Sequence, residues 1–136
     1  MHLNLLRAFL GLGAATWGAA LAGVFLSWDI AESALEGLGA RAMSYDRMMD
    51  YWLRMASGAF GLIGCLYLLL ALWPRRYREM IPWFGWFSLS EGIILGVHGL
   101  RLSLPPWPFY GDVAARLLAG AGILVSWRQA RSALHA

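Results

Sequence analysis

The sequence predicts an all-α integral membrane protein: a four-helix bundle with a short interfacial helix between the first and second spans. Three observations carry this. Hydrophobic residues make up 60% of the 136 and charged residues 14%, against about 45–50% and about 25% in soluble domains. Four apolar stretches are each long enough to cross a hydrocarbon layer of about 30 Å. Breaks rich in Pro, Arg or acidic residues separate them. One membrane domain covers 1–136, with spans at about 3–26, 47–73, 80–104 and 109–127 and the interfacial helix at about 29–39.

Span 1, from about Leu3 to Leu26, reads as a retained anchor, because no small-residue cleavage site precedes a polar mature segment. Gly11, Ala15, Gly18, Ala22 and Gly23 form a small-residue stripe that lets a neighbouring helix approach closely. Trp28 marks the far interface. Beyond it, Ile30, Ala34, Leu35 and Leu38 recur at near-helical spacing, with Asp29, Glu32 and Glu36 elsewhere on the wheel. That pattern predicts a helix lying on the membrane surface, closed by Gly37 or Gly39. Ser44 or Asp46 supplies the N-cap of span 2.

Span 2 opens with polar turns (Asp50, Tyr51, Trp52, Arg54, Ser57), continues through a ladder at Gly58, Gly61 and Gly64, and stops at Pro74. A short basic connector, Arg75 to Glu79, leads to span 3, whose Pro82 sits in the first turn, where a missing N–H costs little. Pro105-Pro106-Trp107-Pro108 then forms a stiff strap. Span 4 follows from Phe109 to Trp127, and Arg128 and Arg131 close it in a short polar tail.

Span 3 is chemically the most unusual. Glu91 and His98 lie seven residues apart, so they share a helix face with Phe84 and Ser88. A carboxylate at bilayer depth is costly without a partner or a wet cavity, which marks Glu91 as a candidate functional residue or a bundle lock. Spans 2 and 4 carry the same pattern: Asp50, Arg54, Gly58 and Asp112, Arg116, Gly120, each at four-residue spacing. In each, the Asp can pair with the Arg along one helix face. Both spans run inward from the outer side. Arg54 and Arg116 therefore lie on the order of 8–10 Å below the surface, and Glu91 roughly 17–20 Å below it. An outward-opening polar cavity is expected, ringed by Arg54, Arg116, Arg101 and His98, with Glu91 at its floor. Ser57, Ser88 and Trp52 complete the candidate ligand-binding set.

Charge sets the expected orientation. Arg7, Arg75, Arg76, Arg78, Arg128 and Arg131 fall on one side, and most acids on the other. The positive-inside rule then places both termini in the cytoplasm. All eleven basic residues are Arg, which suggests high-GC bacterial coding and hence a bacterial inner membrane. The Arg residues form no basic stripe, so nucleic acid is excluded as a partner. Cys65 is the single cysteine and lies inside a span. Glu91 and His98 are spaced too far apart to chelate one ion on a single helix, so no metal and no cofactor is expected. Trp52, Tyr51, Trp107, Phe109 and Tyr110 read as an aromatic belt at the outer interface.

The order of first span, surface helix and second span opening with Arg54-x-x-x-Gly58-x-x-Gly61-x-x-Gly64 resembles the DoxX-like group of small four-helix bacterial membrane proteins. The resemblance implies a small subunit or partner of a membrane redox system. Three functions are open to these residues. The first is an accessory subunit of a membrane complex, or a binder of a lipophilic ligand whose polar head meets the Arg54 and Arg116 donors. Membrane lipids, and a second copy or a larger complex, are its expected partners. The alternative is an enzyme acting on an isoprenoid, sterol-like or quinone substrate. There Glu91 is the general acid or base, His98 the relay, and Phe84, Trp86, Phe87 and Trp52 stabilise a cationic intermediate. Transport is the weakest of the three, because almost no polar residue continues below Glu91 to the cytoplasmic side.

Overall fold

The structure, a computed structural model, describes residues 2–135, and every regular element among them is helical. In chain order these are α1 (His2–Gly18), which passes directly into a 3₁₀ segment (Ala19–Val24), α2 (Trp28–Gly37), α3 (Arg47–Leu72), α4 (Ile81–Arg101) and α5 (Pro106–His135). Three helices are long and apolar enough to cross a membrane: His2–Val24, Arg47–Leu72 and Pro106–Ser132. Only 22%, 28% and 28% of their apolar windows is buried inside the protein. Most of that apolar surface thus faces outward, which lipid accommodates and water does not. The fourth expected span, α4, falls outside this set. Its two Trp, two Ser, Glu91 and His98 dilute an otherwise apolar sequence.

Two antiparallel hairpins make the molecule. In the first, α3 lies against α1 and its 3₁₀ extension. Gly64 meets the backbone of Gly18, Gly61 packs on Leu21, Gly23 on Ser57, and Gly13 on the Tyr67 ring. In the second, α4 packs along α5 through Gly85 on Leu124, Gly92 on Leu117 and Gly120 on the Gly85–Leu89 turn. The hairpins meet where α1 packs on α5, with Phe9 seated on Gly122. Leu6, Leu10, Trp17, Tyr67, Leu70, Ile81, Ile123, Ala130 and Leu134 form the core.

Local signals account for most boundaries. The Asp46 carboxylate accepts the Met48 and Met49 amides at 2.8 and 2.9 Å, capping α3. Pro82 stands in the first turn of α4. At the end of α2, Gly39 adopts φ 98° while Gly39 N–H bonds to Glu36 O and Ala40 N–H to Leu35 O. That is a Schellman closure at the position where only glycine is unstrained. Two boundaries and one packing face differ from expectation. Span 1 ends as 3₁₀ rather than α-helix. Its small-residue stripe divides: Gly18 and Gly23 meet α3, whereas Ala15 and Ala22 stay exposed and Gly11 has open space around it. The segment after Trp127 is not a tail but the continuation of α5, because Ala130 and Leu134 remain in the core.

The ends sort by charge. Arg7 lines one cavity with Arg75 and Arg76, His2 Nδ1 lies 3.1 Å from Gln129 Oε1, and Arg78 reaches Leu134 O. The opposite end holds α2, the Trp28–Tyr45 ring pair and the approach of Gly39 to Pro105.

Candidate functional site

The two Asp–Arg motifs form their ion pairs. Arg54 Nε donates to Asp50 Oδ1 at 3.0 Å, and Arg116 Nε to Asp112 Oδ1 at 3.1 Å. Both helices flank α1 in the same direction; the Arg116 guanidinium reaches α1 itself, and that of Arg54 reaches its 3₁₀ extension and the turn beyond. Arg54 Nη1 donates to Gly23 O at 3.1 Å, Val24 O at 3.0 Å and Leu26 O, the carbonyls left without partners where span 1 ends. Arg116 lies deeper, at 7% exposure, with its guanidinium carbon 3.8 Å from the centre of the Trp17 ring. Its Nη1 and the Trp17 Nε1 have no hydrogen-bond partner among the described residues. Two buried donors without partners at one place are costly, so this point favours an acceptor or an ordered water.

The remaining candidates separate around that centre. Ser88 is fully buried and donates to Arg116 O at 3.0 Å, which ties α4 to α5 at the same level. Ser57 is buried against Gly23. Glu91, one turn beyond Ser88, is half-buried and has no hydrogen bond or ion pair among the described residues. His98 is exposed and, with Asp112, Leu95, Leu104 and Phe109, lines a cavity of about 240 Å³ between the end of α4 and the start of α5. Arg101 is exposed, and Trp52 is exposed beside Tyr51. The structure thus joins Arg116 with Ser88 and His98 with Asp112, while Arg54 is turned to the backbone of span 1. Among the described residues, no group of three or more His, Cys, Asp or Glu is placed to hold a metal ion.

An apolar groove lies elsewhere. Between α3 and α4 the two hairpins do not close, and a groove of about 410 Å³ is left, lined by Ile63, Leu66, Trp83, Phe84 and Phe87. Its deep end is aromatic. Phe87 stacks on Trp17 at 5.5 Å, Phe60 meets Trp17 edge-on at 5.3 Å, and Tyr67 meets Phe84 at 4.9 Å while donating to Phe84 O at 2.8 Å. Trp17 therefore joins the groove wall to the buried Arg116. Neither Trp17 nor Tyr67 stands out in the sequence as a site residue. The available signal was a phenol inside the otherwise aliphatic run Leu66–Leu72 and a lone Trp midway along span 1.

Comparison with known protein families, with curated proteins and with solved structures finds no match to this chain.

Proposed function

We propose that the chain is a four-span membrane protein that binds a lipophilic molecule in the groove between α3 and α4. The groove itself carries this reading. Its walls are Ile63, Leu66 and three aromatic side chains, and it stands where the two hairpins leave a gap. Such a surface suits an alkyl, isoprenoid or ring-bearing guest, with aromatic faces adding contact beyond simple burial. Six Arg at the end that holds both chain termini support a cytoplasmic placement of that end, in a bacterial inner membrane. Native mass spectrometry after gentle extraction is the test. Wild type is expected to retain a lipophilic adduct. Leu66→Trp, which fills the groove from a position already exposed, is expected to lose it. Retention by both proteins alike would sink the proposal.

A second reading, assembly with a further copy or a larger complex, is supported by the outer face of α1. Ala8, Ala15 and Ala22 are exposed there, and nothing stands within 4 Å of a side chain added at Gly11. Small residues on a lipid-facing helix allow close helix contact. Gly11→Leu is expected to leave the monomer folded and lower the assembly mass on native gels; an unchanged mass removes this reading.

A further inference from the structure

We propose that the guest is a phospholipid with a primary ammonium headgroup, held with its head between Glu79 and Arg131 and one acyl chain in the α3/α4 groove. This inference rests on the groove being a binding site. Trp83 is a wall of two cavities at once. On one side lies the apolar groove; on the other lies a cavity of about 340 Å³ lined by Glu79, Pro82, Trp83, Trp86, Trp127 and Arg131. The second cavity sits at the Arg-rich end, the level at which a headgroup meets a helix bundle. It presents one carboxylate, one guanidinium and three indoles.

Those groups match the two charges of a zwitterionic head separately. The Arg131 guanidinium, 5.8 Å from the Trp127 ring centre, has no ion pair among the described residues and offers planar donors to a phosphate. Arg78 Nε contacts Glu79 Oε1 at 3.2 Å, and Glu79 Oε2 has no hydrogen bond among the described residues. An ammonium bearing N–H donors can reach that oxygen while lying over the Trp83 or Trp86 ring. A head with phosphate but no ammonium leaves Glu79 Oε2 without a donor. A chain entering past Trp83 then runs directly onto Phe84 and Phe87. Trp83 is 74% exposed and stands at the junction of the two cavities.

The test is a native mass-spectrometric titration of the full chain in detergent, using phosphatidylethanolamine and phosphatidylglycerol with identical acyl chains. Wild type is expected to favour the ethanolamine lipid by about fivefold. Glu79→Gln, at an exposed site whose ion pair contributes little to stability, is expected to abolish the preference while phosphatidylglycerol still binds. Leu66→Trp is expected to weaken both lipids together. Equal occupancy in wild type, or a preference that Glu79→Gln leaves intact, overturns the headgroup assignment and leaves the groove standing. Equal binding of both lipids by wild type and Leu66→Trp overturns the groove and this inference with it.

Discussion

Arg54 and Arg116 occupy the same sequence frame, four residues after an Asp and four before a Gly, yet beyond the Asp pairs their guanidiniums meet different partners. Arg54 closes the last carbonyls of span 1, and Arg116 lies over the Trp17 ring. The ion pairs were legible, because four-residue spacing on a helix places the two groups together whatever else surrounds them. The reach to Trp17 was not, since it depends on how far α5 is offset along α1, and no local pattern encodes that offset. A desolvated guanidinium over an indole is worth up to about 2 kcal/mol. A double-mutant cycle with Trp17→Leu and Arg116→Gln is therefore expected to give a coupling of about 1–2 kcal/mol in thermal unfolding in detergent. A coupling near zero would mean that Asp112 alone holds Arg116. Glu91, which the sequence marks most strongly, has none of these contacts; its neighbourhood was set by the rotation of α4, which packs through Gly85, Ser88 and Gly92 on α5.

Among the elements, boundaries set by backbone chemistry were readable and those set by packing were not. Asp46, Gly39 and Pro82 each act within a few residues of themselves. The 3₁₀ segment Ala19–Val24 forms instead where Leu21, Gly23 and Val24 contact Gly61, Ser57 and Gly58 of a helix distant in sequence. The end of α4 shows the same distinction. Ser103 takes φ 51° while Leu104 N–H bonds to Gly99 O at 3.0 Å and Ser103 N–H to Leu100 O at 3.1 Å. This is the closure that Gly39 makes after α2, with a residue that bears a Cβ in the left-handed position. An L side chain there costs about 1–2 kcal/mol, offset in part by the greater chain freedom of glycine. Ser103→Gly is expected to raise unfolding stability by about 0.5–1 kcal/mol, read as a higher midpoint in a detergent thermal scan. A lower midpoint would show that the Ser103 side chain contributes a contact outweighing the strain.

At the scale of the molecule, whether α4 crosses the membrane follows from what it packs on. By length and composition alone α4 is not among the three helices that qualify, and its 21 residues include Trp, Ser, Glu91 and His98. Yet it runs antiparallel to α5 over its whole length, from Gly85 on Leu124 to Gly99 near Tyr110. Its 21 residues span about 30 Å, the thickness of a hydrocarbon core. If α5 spans the bilayer, α4 spans it beside α5, and the polar Ser88 is shielded because it donates to Arg116 O inside that contact. His2 against Gln129 then places both termini on one side, as an even number of crossings requires. Single cysteines in a Cys65→Ala background test this with a membrane-impermeant thiol reagent on sealed vesicles. Cysteines at Asn4 and Ser132 are expected to label from the same side, and cysteines at Ser44 and Ser103 from the opposite one. Labelling of positions 4 and 132 from opposite sides would mean three crossings. In that case α4 and α5 could not lie together as they do, and the groove at Trp83 would have no second wall.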